Sequence, residues 1–177
     1  MTNSANSSEN DFALWQECFG DDEETVKIFG SIPDIQHLHF VSNGQTVGMA
    51  HIVPVSMDNL RGGYLYGIGV KKEYRGRGIC RALLEAAEHT NCDFLCLIPA
   101  NEELAETYRR YGYVKRIVRY GYPHRMDACA LTCDSEAFLA YANTDVSTFG
   151  QKYGLMKFLA PHKTARQVYF ESPMGEA

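Results

Sequence analysis

The sequence lacks the features that mark several large classes of protein. None of its apolar runs approaches the roughly 20 residues that a membrane-spanning helix needs. Its 17 lysines and arginines are outnumbered by 22 aspartates and glutamates, for a formal net charge of −5. That balance disfavours a protein that coats nucleic acid, which needs basic residues on one face. The start, MTNSANSSEN, has no basic stretch followed by an apolar one. We therefore expect no signal peptide and a cytoplasmic protein.

Cysteine pairs of the kind that hold zinc are also missing. The sequence has two Cys-x3-Cys pairs, Cys92/Cys96 and Cys129/Cys133, whereas zinc sites more often use Cys-x2-Cys flanked by turn residues. Cys92 and Cys96 straddle an apolar, strand-like run, where a free cysteine behaves as a small hydrophobe. We therefore expect reduced cysteines and no metal site.

The chain does contain enough apolar residues for one packed domain. Of its 177 residues, 45% are hydrophobic and 22% are charged. The Asn- and Ser-rich residues 1–10 are expected to be disordered. Residues 11–133 are expected to form the domain. Residues 134–177 are expected to be an extension that packs on this domain or on the partner copy of a homodimer, with VYF at 168–170 able to complete a strand pair.

Periodicity, caps and turns predict helices and strands in a mixed order. Asn43-Gly44 is the strongest short signal for a β-hairpin, and Asp21 and Asp22 can cap a helix. The elements predicted are helices at 11–19 and 22–29, strands on both sides of Asn43-Gly44, a strand at 62–70, a helix at 79–90, a strand at 93–99, a helix at 101–112 begun by Asn101, strands within 113–123 and 125–133, and a helix at 134–143 capped by Asp134. This order predicts an α/β (α+β) domain with helices on both faces of a sheet.

The most informative segment is a basic, glycine-rich loop between a predicted strand and a predicted helix. Gly76 and Gly78 flank Arg77 just before the helix, and glycine lets the backbone approach an anion closely and take positive φ values. The start of the helix adds unpaired N–H groups and the positive end of its dipole. Residues 71–81 contain five basic residues and one acid, a local net charge of +4. Together these features predict a phosphate-binding loop.

Two common phosphate motifs do not fit this loop. A P-loop needs Gly-x4-Gly-Lys-Ser/Thr, and the sequence contains no Gly-Lys dipeptide. A dinucleotide fingerprint needs Gly-x-Gly-x-x-Gly, but Gly67-Ile-Gly69 lacks the third glycine and Gly76-Arg-Gly78 is followed by Ile-Cys-Arg. Kinase and Rossmann interpretations are therefore disfavoured. An exposed basic loop that binds nothing is the plain structural alternative.

Two motifs resemble signatures of the GCN5-related N-acetyltransferases (GNAT). Arg75-Gly-Arg-Gly-Ile-Cys80 looks like that family's pyrophosphate loop, Arg/Gln-x-x-Gly-x-Gly/Ala, with Cys80 in the last position. Asn101, Tyr108 and Gly112-Tyr113 look like its Asn-x6-Tyr-x3-Gly-Phe pattern, in the expected order. The resemblance covers about 44–120. It implies a mixed central sheet with helices on both faces, followed here by a C-terminal extension.

The resemblance implies an N-acetyltransferase in which a primary amine attacks acetyl-CoA directly, in a ternary complex. The pantetheine arm would lie between two splayed strands, at 64–70 and 94–99. The backbone N–H of Ile68 would be the oxyanion donor and Tyr108 the general acid. The CoA-binding residues implied are Ile68, Val70, Arg75, Gly76, Arg77, Gly78, Ile79, Cys80, Arg81, Asn101 and Tyr108, with no metal.

The group that takes the proton from the amine is left open by the sequence. Four residues near the predicted strands could accept it, and a water chain is the alternative; they are His51, Tyr64, Tyr66 and Glu73. The acceptor that the resemblance implies is a small-molecule or peptide amine. Acids near the N-terminus would favour a cationic one, although they also suit a solvated helix start. A covalent acyl-cysteine is disfavoured, because neither Cys80 nor Cys96 has a His and acid at a recognisable spacing. A non-catalytic acyl-CoA sensor and a protein-interaction module are the remaining alternatives.

Overall fold

Helices and strands alternate along the computed structural model, which describes residues 4–118, 128–142, 153–159 and 166–171, with side chains from Asp11 onward. In chain order the elements are α1 (Ser4–Phe19), α2 (Glu23–Gly30), β1 (Gln36–Ser42), β2 (Gln45–Met57), β3 (Leu60–Val70), α3 (Ile79–Glu88), β4 (Phe94–Leu97), α4 (Glu102–Arg110), β5 (Lys115–Val118), β6 (Cys129–Cys133), α5 (Glu136–Ala142), β7 (Tyr153–Phe158) and β8 (Val168–Phe170). A short 3-10 turn, Lys72–Tyr74, precedes α3. In these described residues the strands form one mixed sheet, ordered β1-β2-β3-β4-β7-β5-β8-β6. The predicted fold class is confirmed.

The first three strands form an antiparallel meander set by their turn residues. Asn43 and Gly44, with φ of 51° and 75°, join β1 to β2 in the manner of a two-residue hairpin, as the sequence predicts. Met57 pairs with Leu60 across the next turn, where Asp58 has a φ of 52°. The meander therefore follows from local turn chemistry.

Two cores lie on opposite faces of the sheet because successive strand residues point to opposite sides. Tyr64 packs in the core that contains Trp15 of α1, Phe29 of α2 and Phe138 of α5. The next residue, Leu65, packs in the core that contains residues of α3 and α4. Helices therefore cover both faces, as predicted.

β3 and β4 separate where the cleft described below begins. Their parallel ladder runs from Gly62↔Phe94 to Tyr64↔Cys96, whereas β3 continues to Val70. The splay predicted for these two strands is confirmed.

A β-bulge bends the free end of β3. Met49 pairs with Gly69 and His51 with Tyr66, so two residues of β3 lie opposite one residue of β2. Gly67, inside the bulge, has a φ of +59°, a value that glycine takes without steric penalty. The bulge sets the direction of Ile68 and the residues after it.

The structure differs from the sequence at both ends of the predicted domain. α1 begins at Ser4, inside the segment predicted to be disordered, while residues 1–3 lie outside the described part. Extending a helix that already exists costs less than nucleating one, which accounts for the added turns. β7 pairs with both β4 and β5, so the domain does not end at residue 133. The predicted strand at 168–170 is confirmed as β8, which pairs with β5 and β6.

The cap of α5 is also different from the one predicted. The N–H of Phe138 donates to Oγ of Ser135 at 3.2 Å, whereas Oδ1 of Asp134 accepts from Oγ of Ser56 at 2.7 Å. Ser135 therefore caps the helix, while the carboxylate of Asp134 bonds instead to Ser56 of β2. Among the described helices, none is long and apolar enough to cross a membrane.

Candidate active site

The glycine-rich loop presents an uncapped helix N-terminus. Gly78 is the N-cap of α3, has a φ of +80° and supplies no side-chain cap. The first N–H groups of a helix have no partner within the helix. A Cβ atom added at Gly76 or Gly78 would meet nothing within 4 Å, so the backbone is open to a ligand on this side. The arrangement suits an anion, as predicted.

Hydrogen bonds hold this loop against the end of β3 and against α1. Nε of Arg75 donates to the carbonyl oxygen of Val70 at 3.0 Å. The N–H of Lys72 donates to Oε1 of Glu17, on α1, at 2.6 Å. The loop therefore has a defined position relative to the splayed strand.

The other two arginines of the loop have partners of their own. The guanidinium of Arg77 lies 5.0 Å from the ring centroid of Tyr74, within cation–π range. Nε of Arg81 lies 2.7 Å from Oε1 of Glu85, one helical turn on. Because both guanidinium groups already have partners, we expect backbone N–H groups, and not these side chains, to make the main contacts with an anion at these two positions.

A cleft of about 750 Å³ extends from this loop to α4. The predicted residues that line it are Ile68, Val70, Arg75, Gly76, Gly78, Ile79, Cys80, Arg81 and Tyr108. Arg77 lies between two lining glycines with its side chain on Tyr74. Asn101 caps α4, its Oδ1 accepting from the N–H of Leu104 at 2.9 Å. A contact between Asn101 and pantetheine stays a prediction.

Sequence reasoning missed several residues of the cleft wall. They are Cys18, Phe19, Gly69, Tyr74, Ala100, Leu104 and Tyr111. Leu104 lies four residues before Tyr108 and Tyr111 three residues after it, which is the spacing of one helix face. That spacing could have predicted that both line the cleft beside Tyr108. Cys18 and Phe19 reach the cleft only because α1 packs on β2 and β3. Nothing in the local sequence predicts that packing.

Burial controls the chemistry of the groups at the inner end of the cleft. Tyr108 is 4% exposed, and this burial, with a smaller contribution from Cys80, raises the pKa of its phenol. The phenol therefore keeps its proton at neutral pH and is a donor. Burial also raises the pKa values of the Cys80 and Cys96 thiols, so neither is activated as a thiolate nucleophile.

The four candidate proton acceptors are in different surroundings. Tyr64 and Tyr66 are buried, and burial raises the pKa of Tyr66 far above its usual value, which suits a donor and not an acceptor. Glu73 is exposed and pairs with Lys71 at 3.6 Å. His51 is buried on β2, and burial lowers the pKa of its imidazole well below the usual value.

Comparison with known proteins shows what this fold and site resemble. Residues 34–115 match the model of the acetyltransferase (GNAT) domain, and the predicted resemblance is confirmed. The matched segment holds β1 to β4, the glycine-rich loop, α3 and α4. No curated protein matches the chain.

Several solved structures share the fold at low identity. A GNAT family N-acetyltransferase (YhbS) from Escherichia coli in complex with CoA is 14% identical, with a TM-score of 0.59, over 92% of this chain and 82% of that one. A GNAT family acetyltransferase from Staphylococcus aureus is 16% identical, with a TM-score of 0.59, over 90% and 96%. A GCN5-related N-acetyltransferase from Kribbella flavida is 21% identical, with a TM-score of 0.50, over 66% of this chain. This chain spans about a third of the length of the Kribbella protein, 34%.

Proposed function

We propose that the chain is an acetyl-CoA-dependent N-acetyltransferase that acts on a primary amine. The observation that carries the proposal is the uncapped N-terminus of α3 at Gly78, at one end of a cleft that forms where β3 leaves β4. The cleft leads from an anion site to a buried phenol. The match to a GNAT domain and the CoA bound to the E. coli neighbour support the same ligand.

In this proposal the ligand follows the cleft from phosphate to thioester. The N–H groups of Arg77, Gly78, Cys80 and Arg81 bind the pyrophosphate. The pantetheine arm pairs with the part of β3 that extends beyond the β4 ladder, at Ile68 and Val70. This places the thioester between the bulge and Tyr108.

The reaction then needs no nucleophile from the protein. The amine nitrogen attacks the thioester carbonyl carbon, a C–N bond forms and the C–S bond breaks. The N–H of Ile68 donates to the carbonyl oxygen as negative charge develops, a contribution of about 3–4 kcal/mol for a preorganised donor. Tyr108 gives its proton to the departing sulfur, and the proton lost by the amine goes to a base or to water.

Thermal unfolding with two variants at one position tests the proposal. Acetyl-CoA at 100 times its dissociation constant stabilises a protein by about 2.7 kcal/mol, a rise of a few degrees in Tm. Both Gly78→Ala and Gly78→Glu impose the same backbone strain at φ +80° and meet no atom within 4 Å of the added Cβ. We expect the alanine variant to keep the acetyl-CoA shift and the glutamate variant to lose it, because only glutamate repels the phosphates.

ATP and NAD are the ligand controls. A shift with acetyl-CoA alone supports the proposed ligand. If the wild-type protein shows no shift at millimolar acetyl-CoA, the acetyltransferase proposal is wrong, and an interaction module becomes the better explanation of the fold.

A further inference from the structure

A second cavity, of about 460 Å³, lies on the side of the sheet covered by α1 and α2. Its apolar walls include Trp15 and Phe29, and three histidines line it, His37 and His39 from β1 and His51 from β2. We call it the histidine cavity. Among the described residues, none lines both this cavity and the cleft proposed to bind CoA, which we call the CoA cleft.

Two buried polar atoms of residues that line the histidine cavity have no hydrogen-bond partner in the structure. They are Oδ1 of Asp11 and Nε2 of His51. His51 is 4% exposed, and its other ring nitrogen, Nδ1, lies 2.9 Å from Nδ1 of His37. An unpaired buried polar group carries a desolvation penalty, so these two atoms indicate a site that a ligand completes.

The missing partner of Asp11 is a hydrogen-bond donor, because a carboxylate oxygen only accepts. Its other oxygen, Oδ2, lies 3.4 Å from Nε2 of His39. The nearby Glu23 and Lys27, which also line the cavity, pair with each other at 2.6 Å. Asp11 therefore keeps an oxygen for a cation that enters the cavity.

The aromatic walls of the cavity indicate the part of the ligand that carries the charged group. Trp15 and Phe29 lie 4.8 Å apart between ring centroids, and Trp15 and His51 lie 5.1 Å apart. Such rings take up an apolar body, and their faces attract a cation. We propose that the histidine cavity binds a small organic cation, a primary amine carried on an aromatic or aliphatic body, with Asp11 as the counter-ion.

The cavity lies directly behind the β-bulge of the proposed active site. A Cβ atom added at Gly67 would lie 3.0 Å from Cδ2 of His51 and 3.3 Å from Cη2 of Trp15. The next residue, Ile68, lines the CoA cleft. In this proposal an amine in the cavity adjoins the bulge and is either the acetyl acceptor or an effector that acts on the bulge, and both roles share one binding chemistry.

Trp15 makes this binding directly measurable, because it is the one tryptophan of the sequence. We would titrate the whole protein with 2-phenylethylamine, its neutral isostere 2-phenylethanol and the anion phenylacetate, and follow Trp15 fluorescence without acetyl-CoA. We expect a saturable change with the amine. The alcohol should bind about tenfold or more weakly, because it makes no charge-assisted bond to Asp11.

Two carboxyl-to-amide variants separate the role of Asp11 from a general effect of charge. Asp11→Asn should weaken amine binding about tenfold or more and leave the alcohol unaffected. Glu24→Gln is the matched control, because Glu24 is an exposed acid of α2 and is not among the residues that line the cavity. It should bind the amine as the wild-type protein does.

Two results would overturn the proposal. One is no saturable fluorescence change with millimolar amine, and the other is equal affinity for amine and alcohol that Asp11→Asn does not alter. If the amine binds, mass spectrometry after incubation with acetyl-CoA distinguishes its two roles, since an acceptor is acetylated and an effector is not. The acceptor role alone rests on the proposed function, so a protein that fails to bind acetyl-CoA leaves the fluorescence result intact.

Discussion

At the scale of single residues, burial decides what Tyr108 can do. The side chain lies in the core between the sheet, α3 and α4, 6.3 Å from Tyr113 in an edge-on arrangement. Its pKa is raised chiefly by loss of water, which disfavours the charged phenolate. Since the raised pKa belongs to the folded protein, the proton is retained at every pH below it, and the donor persists through the neutral and mildly alkaline range.

Replacing Tyr108 by phenylalanine should lower kcat about 10²- to 10⁴-fold, the usual contribution of a general acid, and leave acetyl-CoA binding unchanged. CoA release with the best acceptor from an amine screen measures the first, and calorimetry the second. Tyr111→Phe, in the same cleft wall, is the control and should retain kcat. A Tyr108 variant as fast as wild type would refute the assignment. Acetyl-CoA binding without turnover in the wild-type protein would favour the sensor alternative.

At the scale of elements, short-range hydrogen bonds start the helices that build the cleft. Oδ1 of Asp22 accepts from the N–H of Thr25 at 2.8 Å and begins α2. Oδ1 of Asn101 does the same for α4, and the acids of its first turn, Glu102 and Glu103, complement the helix dipole. These caps are visible in the sequence because both partners lie within four residues.

Asn101→Ala should lower the free energy of unfolding by about 1 kcal/mol, because the exposed first turn of α4 loses its cap. Asn101→Asp should be close to wild type, since aspartate caps as well as asparagine does. Urea unfolding of the three proteins measures the difference. Equal stability of the alanine and wild-type proteins would show that the cap contributes nothing. A raised KM for acetyl-CoA in the aspartate variant would support the predicted contact with pantetheine.

At the scale of the whole molecule, β7 joins the two halves of the sheet. It pairs with β4 from Phe94↔Phe158 to Leu97↔Leu155, and with β5 along its other edge. Gly154 allows this close packing, because a Cβ there would lie 2.8 Å from Cε2 of Phe170 and 3.0 Å from the carbonyl oxygen of Leu97. β7 is therefore integral to the sheet.

Gly154→Ala should lower the free energy of unfolding by about 1–3 kcal/mol, the usual effect of overpacking a tight core. The backbone oxygen of Leu97 cannot move without disturbing the ladder. Gly30→Ala is the matched control, because its added Cβ meets nothing within 4 Å and should change stability by about 0.5 kcal/mol or less. Equal melting temperatures for the two variants would contradict the close packing seen here.

The sequence by itself determined the parts of the protein that depend on near neighbours. The hairpin at Asn43-Gly44, the caps at Asp22 and Asn101 and the glycine loop before α3 all follow from interactions within a few residues. The same local patterns carried the resemblance to the GNAT family. Nine of the eleven CoA-binding residues that this resemblance implies line one cleft, although the roles of these residues stay predictions.

Only the tertiary structure decided which distant segments meet. A pattern of apolar residues shows that a strand is buried but not beside which strand, so the insertion of β7 between β4 and β5 could not be inferred. The same holds for Cys18 and Phe19, which complete the cleft from α1, and for the histidine cavity, whose walls come from four elements. The physical reason is that packing joins residues far apart in sequence. Neither segment alone contains a pattern that identifies its partner.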